Sequence, residues 1–171
     1  MPDENQTLDK WRYVALLLTG LIISVADQIS KAWVRASIPE GGSLFEVGIF
    51  RFTNLQNTGA AFGLFQGQSL ILSIIALFGI SLVLIYAFVL YRRFPVFIGK
   101  LGHFALGLIL GGTVGNVIDR LFRGYVTDFI DFTFWPAFNI ADSAVTVSVI
   151  ILAYCLLRSP QSEKYQDGQD L

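Results

Sequence analysis

The 171-residue chain has one histidine, His103, and one cysteine, Cys155. A single histidine argues against a Ser-His triad or a multi-histidine zinc site built within one chain. A single cysteine excludes an intrachain disulfide and a thiolate metal cluster, and its place in an apolar run suits a small packing residue. Charge is scarce as well: 15% of residues are charged, the net charge is -1 and the mean hydropathy is +0.60. These are membrane values, and they give no basic surface for nucleic acid. No glycine-rich phosphate loop follows a strand, since Gly111, Gly112 and Gly115 fall inside a hydrophobic run. Hydrolysis by such a chain has to rest on carboxylates, with no metal and no cofactor expected.

What the sequence does contain is four long apolar stretches. A hydrocarbon core of about 30 Å needs about 20 helical residues, and spans are predicted at 13–34, 69–91, 101–122 and 138–157. The first lacks a small-residue cleavage site and reads as an uncleaved anchor. Residues 36–57, with Pro39, Gly41 and Gly42 followed by Val47, Ile49, Phe50 and Phe52, predict a sheet of two or three strands. Residues 57–65 suit a short interfacial helix. The fold class is an all-α integral membrane protein, four transmembrane helices with a small extracytoplasmic β-sheet after the first, forming one unit over 1–158 with a polar tail at 159–171.

The third span repeats His103, Gly107, Gly111, Gly115 and Asp119 every four residues, a small-residue stripe that lets another helix approach closely. Its end carries Asn116, Asp119 and Arg120, with Arg120 expected to pair with Asp119. Asp27 and Lys31 are four apart in the order that favours a helical ion pair, with Lys31 and Arg35 able to snorkel toward water. Asn139, Asp142, Ser143 and Thr146 share one helix face. Asp128 and Asp131 sit in an aromatic-rich connection just before, with Asp131 assigned to a wet outer rim.

Loop charge sets the expected orientation. With both termini cytoplasmic, the inner segments carry seven cations (Lys10, Arg12, Arg92, Arg93, Lys100, Arg158, Lys164) against five outside. Asp27, Asp119 and Asp142 then meet at the outer boundary, flanked by Trp33, Phe132, Phe134, Trp135 and Phe138 as an aromatic belt. The residues alone leave three uses for these acids open: hydrolysis by a carboxylate pair, an ion path in a small transporter, or structural caps and ion pairs in an assembly subunit.

Five motifs in order, DQISK, QNTGAAF, GNVIDR, VTDFIDF and FNIADS, resemble those of the bacterial lipoprotein signal peptidases, signal peptidase II. The resemblance implies a membrane aspartic endopeptidase that cleaves a diacylglyceryl-modified prolipoprotein before its lipidated cysteine. It implies Asp128 and Asp142 as the catalytic pair, and Asp27, Lys31, Asn57, Asn116, Asp119, Arg120 and Asn139 as substrate-binding or dyad-supporting residues. Asp131 lies in the same motif stretch as Asp128, and its place in the motif is what excludes it. The implied setting is a bacterial inner or plasma membrane with the site facing out, a monomer acting on prolipoprotein among membrane lipids, with the peptide crossing above Gly107, Gly111 and Gly115.

Overall fold

The computed structural model describes residues 4–60, 64–90 and 100–158. The expected basic connection at 91–99, the centre of the 57–65 segment and the 159–171 tail lie outside them. Helix α1 covers Glu4–Ser37, and strands β1 (Ser43–Val47) and β2 (Phe50–Asn57) follow it. Helix α2 (Ser69–Ile85) continues into a π-helical turn, Tyr86–Leu90, and α3 covers Lys100–Arg123. Strands β3 (Val126–Phe132) and β4 (Trp135–Phe138) lead to α4, Ile140–Leu157. Among the described residues, four helices are long and apolar enough to cross a membrane.

Helix α3 is the axis of the bundle. Of its apolar window 56% is buried, against 17%, 11% and 17% for α1, α2 and α4, so the outer three present their apolar side chains outward, as to lipid. The glycine stripe explains how α1 comes so near. A Cβ on Gly107 would lie 2.7 Å from the Leu16 carbonyl oxygen, and one on Gly111 would lie 2.5 Å from that of Gly20. Ser24 Oγ adds a hydrogen bond to the Gly111 carbonyl at 3.0 Å. Gly112, one residue on, faces the opposite way, and its Cβ would meet the Ala141 carbonyl oxygen of α4 at 2.5 Å. Because α1 fills the stripe, the expected peptide path above Gly107, Gly111 and Gly115 is closed.

At one end the helices converge. Leu16 of α1, Ala87 of the π turn and Leu106 of α3 form a buried cluster with Val83, Tyr86 and Leu152 against it, and Tyr13 stacks on Phe88 at 4.9 Å. At the other end sits an antiparallel sheet in the order β1-β2-β3-β4. It is larger than the two or three strands expected from 36–57, because the connection between α3 and α4 supplies two more. Three aspartates and asparagines near a proline obscure a strand signal, since such residues are depleted in strands. Gly48, at φ 59°, opens the two-residue turn between β1 and β2, and the backbone N–H of Thr133 donates to the Ile49 carbonyl at 3.0 Å, tying the two hairpin tips together. The sheet rests on the end of α1 through Val34, Ile38 and Phe129. The described part of 57–65 is the end of β2, a bend and a turn with Phe65 at φ 57°; no helix is present among its described residues.

Candidate active site

Strand alternation decides where the aspartates of β3 point. Residues two apart share a face, and Val126 and Asp128 both line a cavity of about 1040 Å3. Thr127 and Phe129 face the other way, toward α1. Asp131, three residues from Asp128, shares that second face. It is buried, and Arg51 of β2, its register partner, reaches it at 2.6 Å. The wet-rim assignment of Asp131 is thus corrected: across the sheet an arginine holds it.

Asp142 arrives by a different route. Asn139 has extended backbone and caps α4, its Oδ1 accepting from the Asp142 N–H at 3.0 Å while Asp142 Oδ2 accepts from the Asn139 N–H at 3.3 Å. This reciprocal pair is a capping box with asparagine and aspartate in the two roles. The helix therefore begins two residues later than the predicted span. Asp142, Ser143 and Thr146 line the same cavity as Asp128, as their shared helix face requires.

Three asparagines serve the two carboxylates, and each amide is held in one direction by a donor on its oxygen. Gly59 N–H donates to Asn57 Oδ1 at 2.9 Å, so Asn57 Nδ2 faces Asp128 Oδ2 at 2.9 Å. The capping bond fixes Asn139, whose Nδ2 donates to Asp128 Oδ1 at 2.7 Å. Lys31 Nζ donates to Asn116 Oδ1 at 2.8 Å and Asn139 Nδ2 donates to the same oxygen at 3.2 Å, which leaves Asn116 Nδ2 to Asp142 Oδ1 at 2.8 Å. Asn139 thus touches both carboxylates. Burial, reinforced by the neighbouring Asp142, raises the Asp128 pKa to about 7 against the opposing hydrogen bonds from Asn57 and Asn139.

Below these carboxylates lies a charged layer. Lys31 is fully buried, 2.7 Å from Asp27 Oδ2 and 3.2 Å from Asp119 Oδ2. The ion pair at four-residue spacing is present, whereas snorkelling of Lys31 is not: the ammonium stays inside because three acceptors surround it. Asp119 also accepts from Arg35 at 3.4 Å and from the Thr127 N–H at 3.2 Å. Its expected pairing with Arg120 does not form, since adjacent helical residues diverge; Arg120 lines the cavity and donates to the Gly59 carbonyl at 3.1 Å. Asp27 Oδ1 accepts the Ala141 N–H at 3.0 Å, tying α1 to the first turn of α4. All nine site residues read from the sequence fall in this one assembly. Gln28 and Thr127 join it unannounced, and Arg35, expected at the helix end, joins as a partner of Asp119; Arg35 continues the 27, 31, 35 spacing on α1, and Gln28 donates to the Gly115 carbonyl at 3.0 Å.

Besides the polar residues, the cavity is lined by Ala76 of α2, by Val145 and Val147 of α4, and by Trp135, Pro136 and Phe138 of β4. Apolar side chains and two carboxylates thus share one cavity, which suits a substrate that is part apolar and part peptide.

The family model for signal peptidase II matches residues 19–158, most of the chain and every residue of this assembly. The chain belongs to the signal peptidase II family. Relatives named lipoprotein signal peptidase include that of Dehalococcoides mccartyi, 46% identical over 126 residues covering 74% of this chain and 78% of the relative. That of Syntrophomonas wolfei is 43% identical, covering 84% and 93%. Two solved bacterial membrane enzymes share the fold of this signal peptidase II family member. The one at 2.3 Å has TM-score 0.75 and 28% identity, covering 84% of this chain and 87% of its own; the one at 1.9 Å has 0.71 and 30%, covering 84% and 93%.

Proposed function

We propose that the protein removes signal peptides from diacylglyceryl-modified prolipoproteins, cleaving before the lipidated cysteine with Asp128 and Asp142 as an aspartic dyad. The observation that carries this reading is the bridging of both carboxylates by Asn139 in a cavity that apolar side chains of α2, β4 and α4 also line. Charge supports a singly protonated pair. With one proton shared, Asp27, Asp119 and the dyad supply three negative charges, and Lys31, Arg35 and Arg120 supply three positive ones. Two neighbouring buried carboxylates do not both ionise readily.

The chemistry then follows. The ionised carboxylate takes a proton from water as the oxygen attacks the scissile carbonyl, while the protonated partner gives its proton to that carbonyl oxygen. Collapse of the tetrahedral species breaks the C–N bond: the amine leaves with the proton first taken from water, and a hydroxyl proton of the diol returns to the other carboxylate as the new carboxyl group forms, which restores one shared proton. Apolar walls at Ala76, Val145 and Val147 would hold the acyl chains, and positioning supplies much of the selectivity. Incubating purified protein with a diacylglyceryl-modified prolipoprotein tests the reading: the expected products, by mass, are the free signal peptide and a lipoprotein beginning at the modified cysteine. An intact substrate, or cleavage elsewhere, overturns it.

The sheet and the dyad are proposed to face out of the cell, with both termini cytoplasmic. In a Cys155→Ala background, a thiol probe that cannot cross the membrane is expected to label Gly42→Cys in cells stripped of any outer envelope, and to miss Lys10→Cys. The reverse pattern inverts the topology.

Asp131→Asn is expected to keep turnover within about threefold of wild type, because Asp131 faces away from Asp128 and engages Arg51. Its cost falls on the sheet, and Tm drops. A folded Asp131→Asn protein with no turnover would move the dyad to Asp131.

A further inference from the structure

Of the three amides aimed at the carboxylates, those of Asn57 and Asn139 are oriented by backbone N–H groups, and that of Asn116 by a charge, Lys31 at 2.8 Å, with Asn139 Nδ2 a second and longer donor at 3.2 Å. We propose that Lys31 is a positioning residue for the peptidase reaction, acting on Asp142 through Asn116. The proposal rests on the dyad reading above and adds to it the path by which a residue with no bond to either carboxylate reaches the chemistry.

Lys31 has three N–H groups and three acceptors: Asp27 Oδ2 at 2.7 Å, Asn116 Oδ1 at 2.8 Å and Asp119 Oδ2 at 3.2 Å. Neutralising Asp27 and Asp119 would not require the third contact, and Asp119 has Arg35 as a second cation. The third contact has a chemical consequence. An ammonium donates and never accepts, so the amide oxygen of Asn116 must face it and the amide nitrogen must face Asp142. Asp142 Oδ1 is thereby held as an acceptor. Whenever Asp142 carries the shared proton, that proton sits on Oδ2, whose other partner is the Asn139 N–H at 3.3 Å. Without Lys31 the Asn116 oxygen keeps only Asn139 Nδ2, at 3.2 Å and shared with Asp128 Oδ1 at 2.7 Å, so the amide is held less firmly against turning its oxygen to Asp142 and letting the proton settle on either carboxylate oxygen.

The charged groups around Lys31 are Asp27 and Arg35 on α1, Asp119 and Arg120 on α3, Asp128 on β3 and Asp142 on α4. Removing a cation from this set favours the protonated dyad, and the alkaline limb of the pH-rate profile is therefore expected to move to higher pH.

The test compares Lys31→Met, Asn116→Leu and the double variant on the full-length protein, with Asp128→Asn alongside. Lys31→Met is expected to lose roughly 10- to 100-fold in kcat with KM nearly unchanged and its alkaline limb shifted up. The double variant is expected to match Asn116→Leu, because both changes cut one path. Losses that multiply, a change confined to KM, or an unmoved alkaline limb would each overturn the role. Should Lys31→Met fail to fold, Lys31→Met/Asp27→Asn leaves no lone carboxylate beside the vacated ammonium, Asp119 retaining Arg35. That protein is expected to show the same kcat loss and the same equivalence with Asn116→Leu, and wild-type kcat in it overturns the proposal. Turnover by Asp128→Asn would overturn the dyad itself, an outcome separate from anything seen at Lys31.

Discussion

Asp128→Asn and Asp142→Asn are each expected to reduce prolipoprotein cleavage by at least about 10^4-fold in folded protein, and the double variant is expected to be scarcely worse than either. Each change removes the ionisable group from a unit that works only when one member is charged and the other protonated. The rate profile should be bell-shaped, with its alkaline limb near pH 7, where Asp128 loses its hold on the shared proton. The same ionisation acts on stability. The Asp128 pKa is raised in the folded protein from its ordinary 3.8 to about 7, so the folded state binds the proton more tightly than the unfolded chain. Its contribution is complete below the unfolded pKa and is lost as pH rises through the folded one. Asp128→Asn should therefore flatten the fall in Tm between about pH 4 and 7. Near-normal turnover in either single variant would remove the dyad, and an unaltered Tm slope in Asp128→Asn would remove the ionisation assigned to it.

Gly111→Leu is expected to prevent assembly of the bundle. Even a methyl at this position would meet the Gly20 carbonyl oxygen at 2.5 Å, the Ile23 Cβ at 2.8 Å and the Gly20 Cα at 3.0 Å. Two of these three atoms belong to backbone, and no rotamer change relieves them. Overpacking by a methylene or two typically costs about 1–3 kcal/mol; four carbons against a helix backbone force α1 and α3 apart. That separation also withdraws Lys31 from Asn116 and Asp119, so activity goes with the fold. Gly79 of α2 is the control, for a Cβ there meets nothing within 4 Å. Gly79→Ala should be neutral or stabilising by about 0.5–1 kcal/mol. A Gly111→Leu protein that melts like wild type in detergent would show that the stripe does not set the helix spacing.

The helices were legible because hydropathy reads length and polarity, and both are preserved in the folded protein. The glycine stripe was legible as a close-approach surface for the same reason: four-residue spacing fixes a face whatever lies opposite. What it lay against was not legible, and it proved to be α1 rather than substrate. The candidate site residues were singled out through ordered motifs, but their partners were not. Adjacent residues on a helix look like neighbours in a sequence, which suggested Asp119 with Arg120; in space Asp119 belongs to Lys31 and Arg35 on another helix. Asp131 failed similarly. Its parity against Asp128 would have separated the two, had the VTDFIDF stretch been read as a strand rather than a loop.

The two proposed catalytic acids lie fourteen positions apart in the last third of the chain, on β3 and the first turn of α4. Chain order thus becomes an order of biogenesis. A nascent protein that has inserted α1, α2 and α3 already holds Asp27, Lys31 and Asp119, yet Asp142 and its capping partner Asn139 are still to emerge. Until α4 enters the bilayer and its capping box closes, Asp128 lacks its partner acid, and a chain stalled or truncated before that point is a membrane-inserted scaffold that cannot cut its neighbours. With the proposed dyad, hydrolytic competence arrives only with the final insertion step.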